Sequence, residues 1–295
     1  MNRLDKLVIA LLFVVLAVMV VGRQAPLDDP MIGRRPIPPS AEISPPPGPP
    51  PKPPRIRRPI PVEPSPTDPV FAVESPDELP KGASGTAFPI NGRGAWMTAQ
   101  HVTYECAQVG LLAAGGRNVL LARVAYAHPA ADVAIITANR SAPPVAFSDA
   151  PLSEGQAAYS LGYPRGEVGA AYLQLLGRSR TKAGGRMPFA SPTLTWAEVD
   201  RFPRDLDTLG GMSGGPVVDE AGQVVGVLVA GSMRRGRALS IAPELLQQVR
   251  RDFAPADGAE PRPIDAVRLG PRRLAQIAES AVRDQRVAKV YCRRT

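Results

Sequence analysis

The chain has 295 residues, of which 44% are hydrophobic and only 5% aromatic, and its 35 Lys and Arg against 27 Asp and Glu give a net charge of +8. These values suit one or two domains, with a globular core joined to something polar, and exclude a chain made wholly of either. The positive balance comes without a nucleic-acid-binding motif, which excludes nucleic acid as a partner, and the pattern calls for no cofactor and no metal.

The amino terminus is the first distinct segment. Met1 to Lys6 is basic at Arg3 and Lys6, and Leu7 to Val21 follows as fifteen uninterrupted apolar residues. That length lies between a secretory h-region and a short membrane span, and the basic flank belongs on the cytoplasmic side. No Ala-x-Ala cleavage site follows Val21, so residues 1–24 are expected to be an uncleaved anchor in the inner membrane, with the remainder in the periplasm. Cleavage, giving a secreted or soluble periplasmic protein, is the alternative. Between Pro26 and Pro69 there are 18 prolines in 44 residues. Such a density cannot build helix or sheet and predicts an extended, disordered spacer over 25–70, or less readily a ligand for an aromatic groove.

From residue 71 onward, short apolar runs are punctuated by Gly, Pro and Asn, with few helical periods before Pro243. The expected fold is all-β. Asp132 opens one apolar run, Val133 to Ile136, that reads as a buried strand. A carboxylate at the mouth of such a strand needs a partner, and an imidazole N–H or the preceding turn would supply it. The chain has two histidines. His101 follows the run Trp96-Met-Thr-Ala-Gln, whereas His128 begins the turn His128-Pro-Ala-Ala-Asp132 and reads as a surface residue.

Residues 210–217 read Gly-Gly-Met-Ser-Gly-Gly-Pro-Val. An acyl-transfer serine needs two backbone N–H groups aimed at the developing oxyanion, and glycines let the chain turn tightly enough to present them. Here Ser213 would be the nucleophile, with the amides of Gly211 and Ser213 as donors. An ordinary Gly-rich turn between strands is the plainer reading of this string by itself.

After Ala242, the run Pro-Glu-Leu-Leu-Gln-Gln-Val-Arg-Arg reads as a helix packed on the preceding strands. Residues Gly270 to Val287 read as a second, with Leu274, Ile277, Ala278 and Ala281 on one face. From Arg262 to Arg294 there are nine Lys and Arg against three Asp and Glu, so 256–295 is expected to be a basic extension whose apolar face docks on the domain. Cys106 and Cys292 are the only cysteines. Counting leaves one disulfide or two free thiols.

The order His101, Asp132, Ser213, with Gly85-Thr-Ala-Phe, Leu161-Gly-Tyr-Pro and Gly222 to Gly231 around it, resembles the trypsin-like serine protease superfamily over residues 83–245. The compact spacing of 31 residues from His101 to Asp132 is closest in style to bacterial Deg (HtrA-type) proteases. The resemblance implies two six-stranded antiparallel barrels of the chymotrypsin type, about 71–150 and 151–242, within a protease domain spanning 71–255. It further implies a Ser-His-Asp triad cutting peptide or protein substrates through an acyl-enzyme. Two readings stay beside that one, a catalytically silent peptide-binding module and a Deg-like stress protease with holdase behaviour. Met212 stands where zymogen-type relatives place an aspartate, so activation by a new amino terminus is excluded. About 42 residues follow Phe253, too few for the PDZ domain that Deg-type proteases carry. Asp207, six residues before Ser213, stands at the offset of the acid in a trypsin-like specificity pocket, with Gly231 on the pocket wall. A preference for Arg or Lys before the cut is one expectation, and Asp207 as a solvent-facing turn residue is the other.

Overall fold

The computed structural model describes residues 58–73, 78–113, 118–232, 236–253 and 259–295. The anchor expected over 1–24, and the spacer up to residue 57, lie outside them. Among the described residues no helix is long and apolar enough to cross a membrane.

Two closed, six-stranded antiparallel barrels make up the domain. The first is built from β2 (Gly82–Pro89), β3 (Ala95–Thr98), β4 (Gln108–Ala113), β5 (Leu120–Ala127), β6 (Ala134–Ala138) and β13 (Ala288–Arg293), in the order β13-β2-β3-β6-β5-β4. The second contains β7 (Ala157–Gly162), β8 (Gly169–Ala183), β9 (Phe189–Phe202), β10 (Pro216–Asp219), β11 (Val224–Ser232) and β12 (Arg237–Ile241). Its closure runs through the long β8–β9 hairpin. Strand β1 (Val70–Val73) lies outside the first barrel and pairs in parallel with the end of β8.

Sequence period explains which strands face two ways. All of β7 is buried, matching its small and apolar run, whereas β13 alternates, with Ala288, Val290 and Cys292 buried and Lys289, Tyr291 and Arg293 on the other face, the first two half-buried and the last exposed. Inside the second barrel Ser179, Thr181, Thr193 and Thr195 are buried, and hydroxyl contacts of 2.9 Å satisfy them across β8 and β9. Trp196, also buried, donates its indole N–H to Ser240 at 2.9 Å. Left unpaired, each such group would cost about 1–3 kcal/mol.

The segment expected as a basic extension contributes both a helix and a barrel strand. Helix α3 (Leu274–Arg283) buries Leu274, Ile277, Ala278 and Ala281. Strand β13 then inserts between β2 and β4, so that Cys292 lies opposite Ala83 on one side and Val109 on the other. The two cysteines are joined, Cys106 to Cys292, with their Cα atoms 5.4 Å apart. The first barrel is thus closed by residues that come after the second. Helix α2 (Pro243–Phe253) buries Leu246 and Val249.

Candidate active site

Strand β3 ends at Thr98 and the chain turns into α1 (Gln100–Thr103), a single turn that begins after the extended Ala99. His101 is held here at two points. Its backbone N–H donates to Asp132 Oδ1 at 2.8 Å, and its ring Nδ1 meets Asp132 Oδ2 at 2.6 Å. An ionised carboxylate only accepts, so Nδ1 carries the proton and Nε2 is left as the basic nitrogen. The Asp132 side chain is 3% exposed and that of His101 37%, so the pair has a dry end and a wet end. Burial would lower the imidazole's pKa; the charge of Asp132 and its hydrogen bond outweigh that, with Arg294 opposing them, and His101 titrates above the ordinary value of 6.5.

The Ser213 loop packs on the Thr98–Ala99 segment that leads into this helix. Gly214 has φ of +85°, and a Cβ there would stand 2.3 Å from the Thr98 hydroxyl and 2.6 Å from the Ala99 nitrogen. Gly211, at φ +97°, is held as closely against the Tyr163 carbonyl. Both positions need glycine, for conformation and for space. The amides of Met212, Gly214 and Gly215 donate to Leu209, Leu228 and Met212 carbonyls. Among the described residues, none accepts from the amides of Gly211 or Ser213, which are left available to an anion.

Thr86 is a residue that sequence reading passed over. It is buried, its N–H donates to the Ser213 carbonyl at 2.8 Å, and its hydroxyl donates to Gly211 at 2.8 Å while accepting from Tyr163 N–H at 3.1 Å. One threonine from the first barrel therefore sets two points of the loop in the second and a third at Tyr163, just after β7. Gly85 forms the seam beside it, since a Cβ there would stand 2.5 Å from Val102 of α1 and 2.9 Å from the Ser213 carbonyl. The only local signal was the Gly85-Thr-Ala-Phe string, which reveals a strand but not what its threonine touches.

Beside His101 and Asp132 lies a cavity of about 310 Å³ whose walls include Val73, Leu79, Met187, Phe189, Ala230 and Arg294. The β8–β9 hairpin reaches over to the first barrel at this point. Tyr104 donates its hydroxyl to the Arg186 carbonyl at 2.6 Å, and Arg186 pairs with Glu105 at 2.8 Å.

Asp207 is found elsewhere. Its side chain is 76% exposed and forms a 3.5 Å ion pair with Arg165, itself exposed, so it is a surface charge and not the floor of a pocket. Gly231 sits on β11 opposite Ala238, with Leu209 packed against it. His128 caps its own turn, its Nδ1 accepting from Ala130 N–H at 3.1 Å.

Residues 85–227 match the family model of the trypsin-like peptidase domain. Over that stretch, a little under half of its length, the chain is similar to a trypsin-like peptidase domain. The matched stretch contains His101, Asp132, Gly211 and Ser213 and stops before Gly231, β12 and β13. The structure is similar to the Rv3671c protease in its inactive form, at 26% identity over 58% of this chain and 86% of that one, with a TM-score of 0.47. The active form of the Rv3671c protease from M. tuberculosis aligns over 68% of this chain and 95% of that one, at 24% identity and a TM-score of 0.49. The HtrA-type protease AlgW with a decapeptide aligns over 58% of this chain and 51% of that one, at 19% identity and a TM-score of 0.46. No curated protein matches the chain significantly.

Proposed function

We propose that the chain is a serine endopeptidase acting on exported or envelope proteins. The observation that carries this reading is the two-point grip of Asp132 on His101, inside a trypsin-like peptidase domain whose Ser213 loop packs against the Thr98–Ala99 segment leading into the His101 helix. In the proposed reaction the Ser213 hydroxyl attacks the scissile carbonyl while His101 Nε2 takes its proton, and Asp132 stabilises the imidazolium. The oxyanion is met by the amides of Gly211 and Ser213. His101 returns the proton to the leaving amine, and water repeats the sequence to release the acyl group.

The apolar run at Leu7 to Val21 supports attachment to the membrane, and the Cys106–Cys292 bridge supports an oxidising compartment for the domain. A fluorophosphonate probe tests the chemistry, because it reports a nucleophilic serine and a formed oxyanion hole together. The parent should label, and Ser213→Ala should neither label nor retain activity, a loss of roughly 10⁵–10⁶-fold in kcat. Equal casein cleavage by Ser213→Ala and parent would overturn the assignment.

A further inference from the structure

The geometry points to Arg294 as a positioning residue for His101, one that fixes the end of α1 through the carbonyls its guanidinium holds; this rests on the peptidase reading above. A one-turn helix leaves its carbonyls without intrahelical partners. The Arg294 guanidinium supplies donors to the end of this one: Nε to the Tyr104 carbonyl at 3.0 Å and Nη2 to the His101 carbonyl at 3.4 Å. Its Nη1 donates to the Pro80 carbonyl at 3.0 Å, and its backbone N–H donates to Lys81 at 2.8 Å. A planar fork spans three carbonyls in this way, whereas a lysine ammonium concentrates its donors at one point.

Arg294 is brought there by β13, and the Cys106–Cys292 bridge ties that strand to the segment leaving α1. The residue is half-buried and lines the same cavity as His101 and Asp132. Among the described residues, the charged groups around the imidazole are Asp132, at the entry to β6, and Arg294, after β13. Beyond them lie Tyr104, bonded to the Arg186 carbonyl, and the Glu105–Arg186 pair. A fixed cation disfavours the imidazolium that Asp132 favours, so the two groups pull the His101 pKa in opposite directions.

The test is an NMR titration of the full chain with its histidine rings labelled, giving one signal from His101 and one from His128. In Arg294→Gln the His101 pKa should rise by roughly 0.3–1 unit, since the opposing cation is gone, while His128 stays in place. Arg294→Lys keeps the charge and should leave that pKa near the parent value. Its kcat toward a peptide ester should nevertheless fall about tenfold at unchanged KM, because the carbonyls of α1 are no longer held. An unmoved His101 in Arg294→Gln, or equal shifts of both histidines, overturns the proposal. If Arg294→Gln does not fold, Arg294→Lys decides, and a kcat equal to the parent's overturns it. The NMR shift is read whether or not Ser213 reacts, so a parent that never hydrolyses the ester counts against the peptidase reading alone.

Discussion

Thr86 donates its backbone N–H to the carbonyl of Ser213 at 2.8 Å, joining a strand of the first barrel to the catalytic loop proposed in the second. Its hydroxyl donates to the Gly211 carbonyl of the same loop and accepts from the Tyr163 N–H. Thr86→Val keeps the shape and removes that hydroxyl, leaving the Gly211 carbonyl and the Tyr163 N–H without their partner. The expected cost is about 1–3 kcal/mol of stability, and fluorophosphonate labelling should slow at least about tenfold as Gly211 loses its orientation. Thr86→Ser should recover most of both, and labelling of Thr86→Val at the parent rate would refute this account.

Asp132→Asn removes the acceptor that fixes the His101 tautomer. In this fold such a change costs roughly 10⁴-fold in kcat, and the same is expected here in steady-state kinetics on a peptide ester. Because Asp132 raises the His101 pKa, the asparagine variant should titrate His101 at lower pH than the parent.

The raised pKa also predicts a pH-dependent stability. His101 binds its proton more tightly folded than unfolded, so its contribution is complete below about pH 6.5 and is lost as the pH rises through the higher folded value. Denaturant melts of the parent and of His101→Gln should therefore differ most in the parent's favour near pH 5.5 and least near about pH 9. A difference that grows with pH would contradict the sign.

The Cys106–Cys292 bridge spans 186 residues of sequence. Closing so long a loop in the unfolded chain is worth about 3–5 kcal/mol, so Cys292→Ser should unfold at correspondingly lower denaturant concentration. Unchanged midpoints would show that β13 holds without the bridge.

Asp207, exposed and paired with Arg165, has no buried position from which to select a cation. Cleavage-site profiles of the parent and Asp207→Ser should coincide within about twofold at every residue type, without Arg or Lys enrichment before the cut. A basic preference lost in the serine variant would restore the acid-pocket reading.

Local pattern alone determined the all-β character of the chain, through short apolar runs such as Ala157–Gly162 and the glycines that interrupt them. It determined the helical stripe of Leu274, Ile277, Ala278 and Ala281, because period is a property of neighbouring residues, whereas His101, Asp132 and Ser213 were singled out by the resemblance of their motifs to those of trypsin-like serine proteases. Only the tertiary structure decided what those residues meet. It placed Ala288–Arg293 between β2 and β4, put Thr86 under the Ser213 loop, and left Asp207 in solvent. The two-residue alternation of β13 records which side is buried and carries nothing about its partner strands, about 180 and 200 residues upstream. Arg294 reads in the sequence as one more charge in a basic tail. It comes to lie beside His101 because barrel closure and a disulfide deliver it there, and contacts of that range are set by packing of the whole domain.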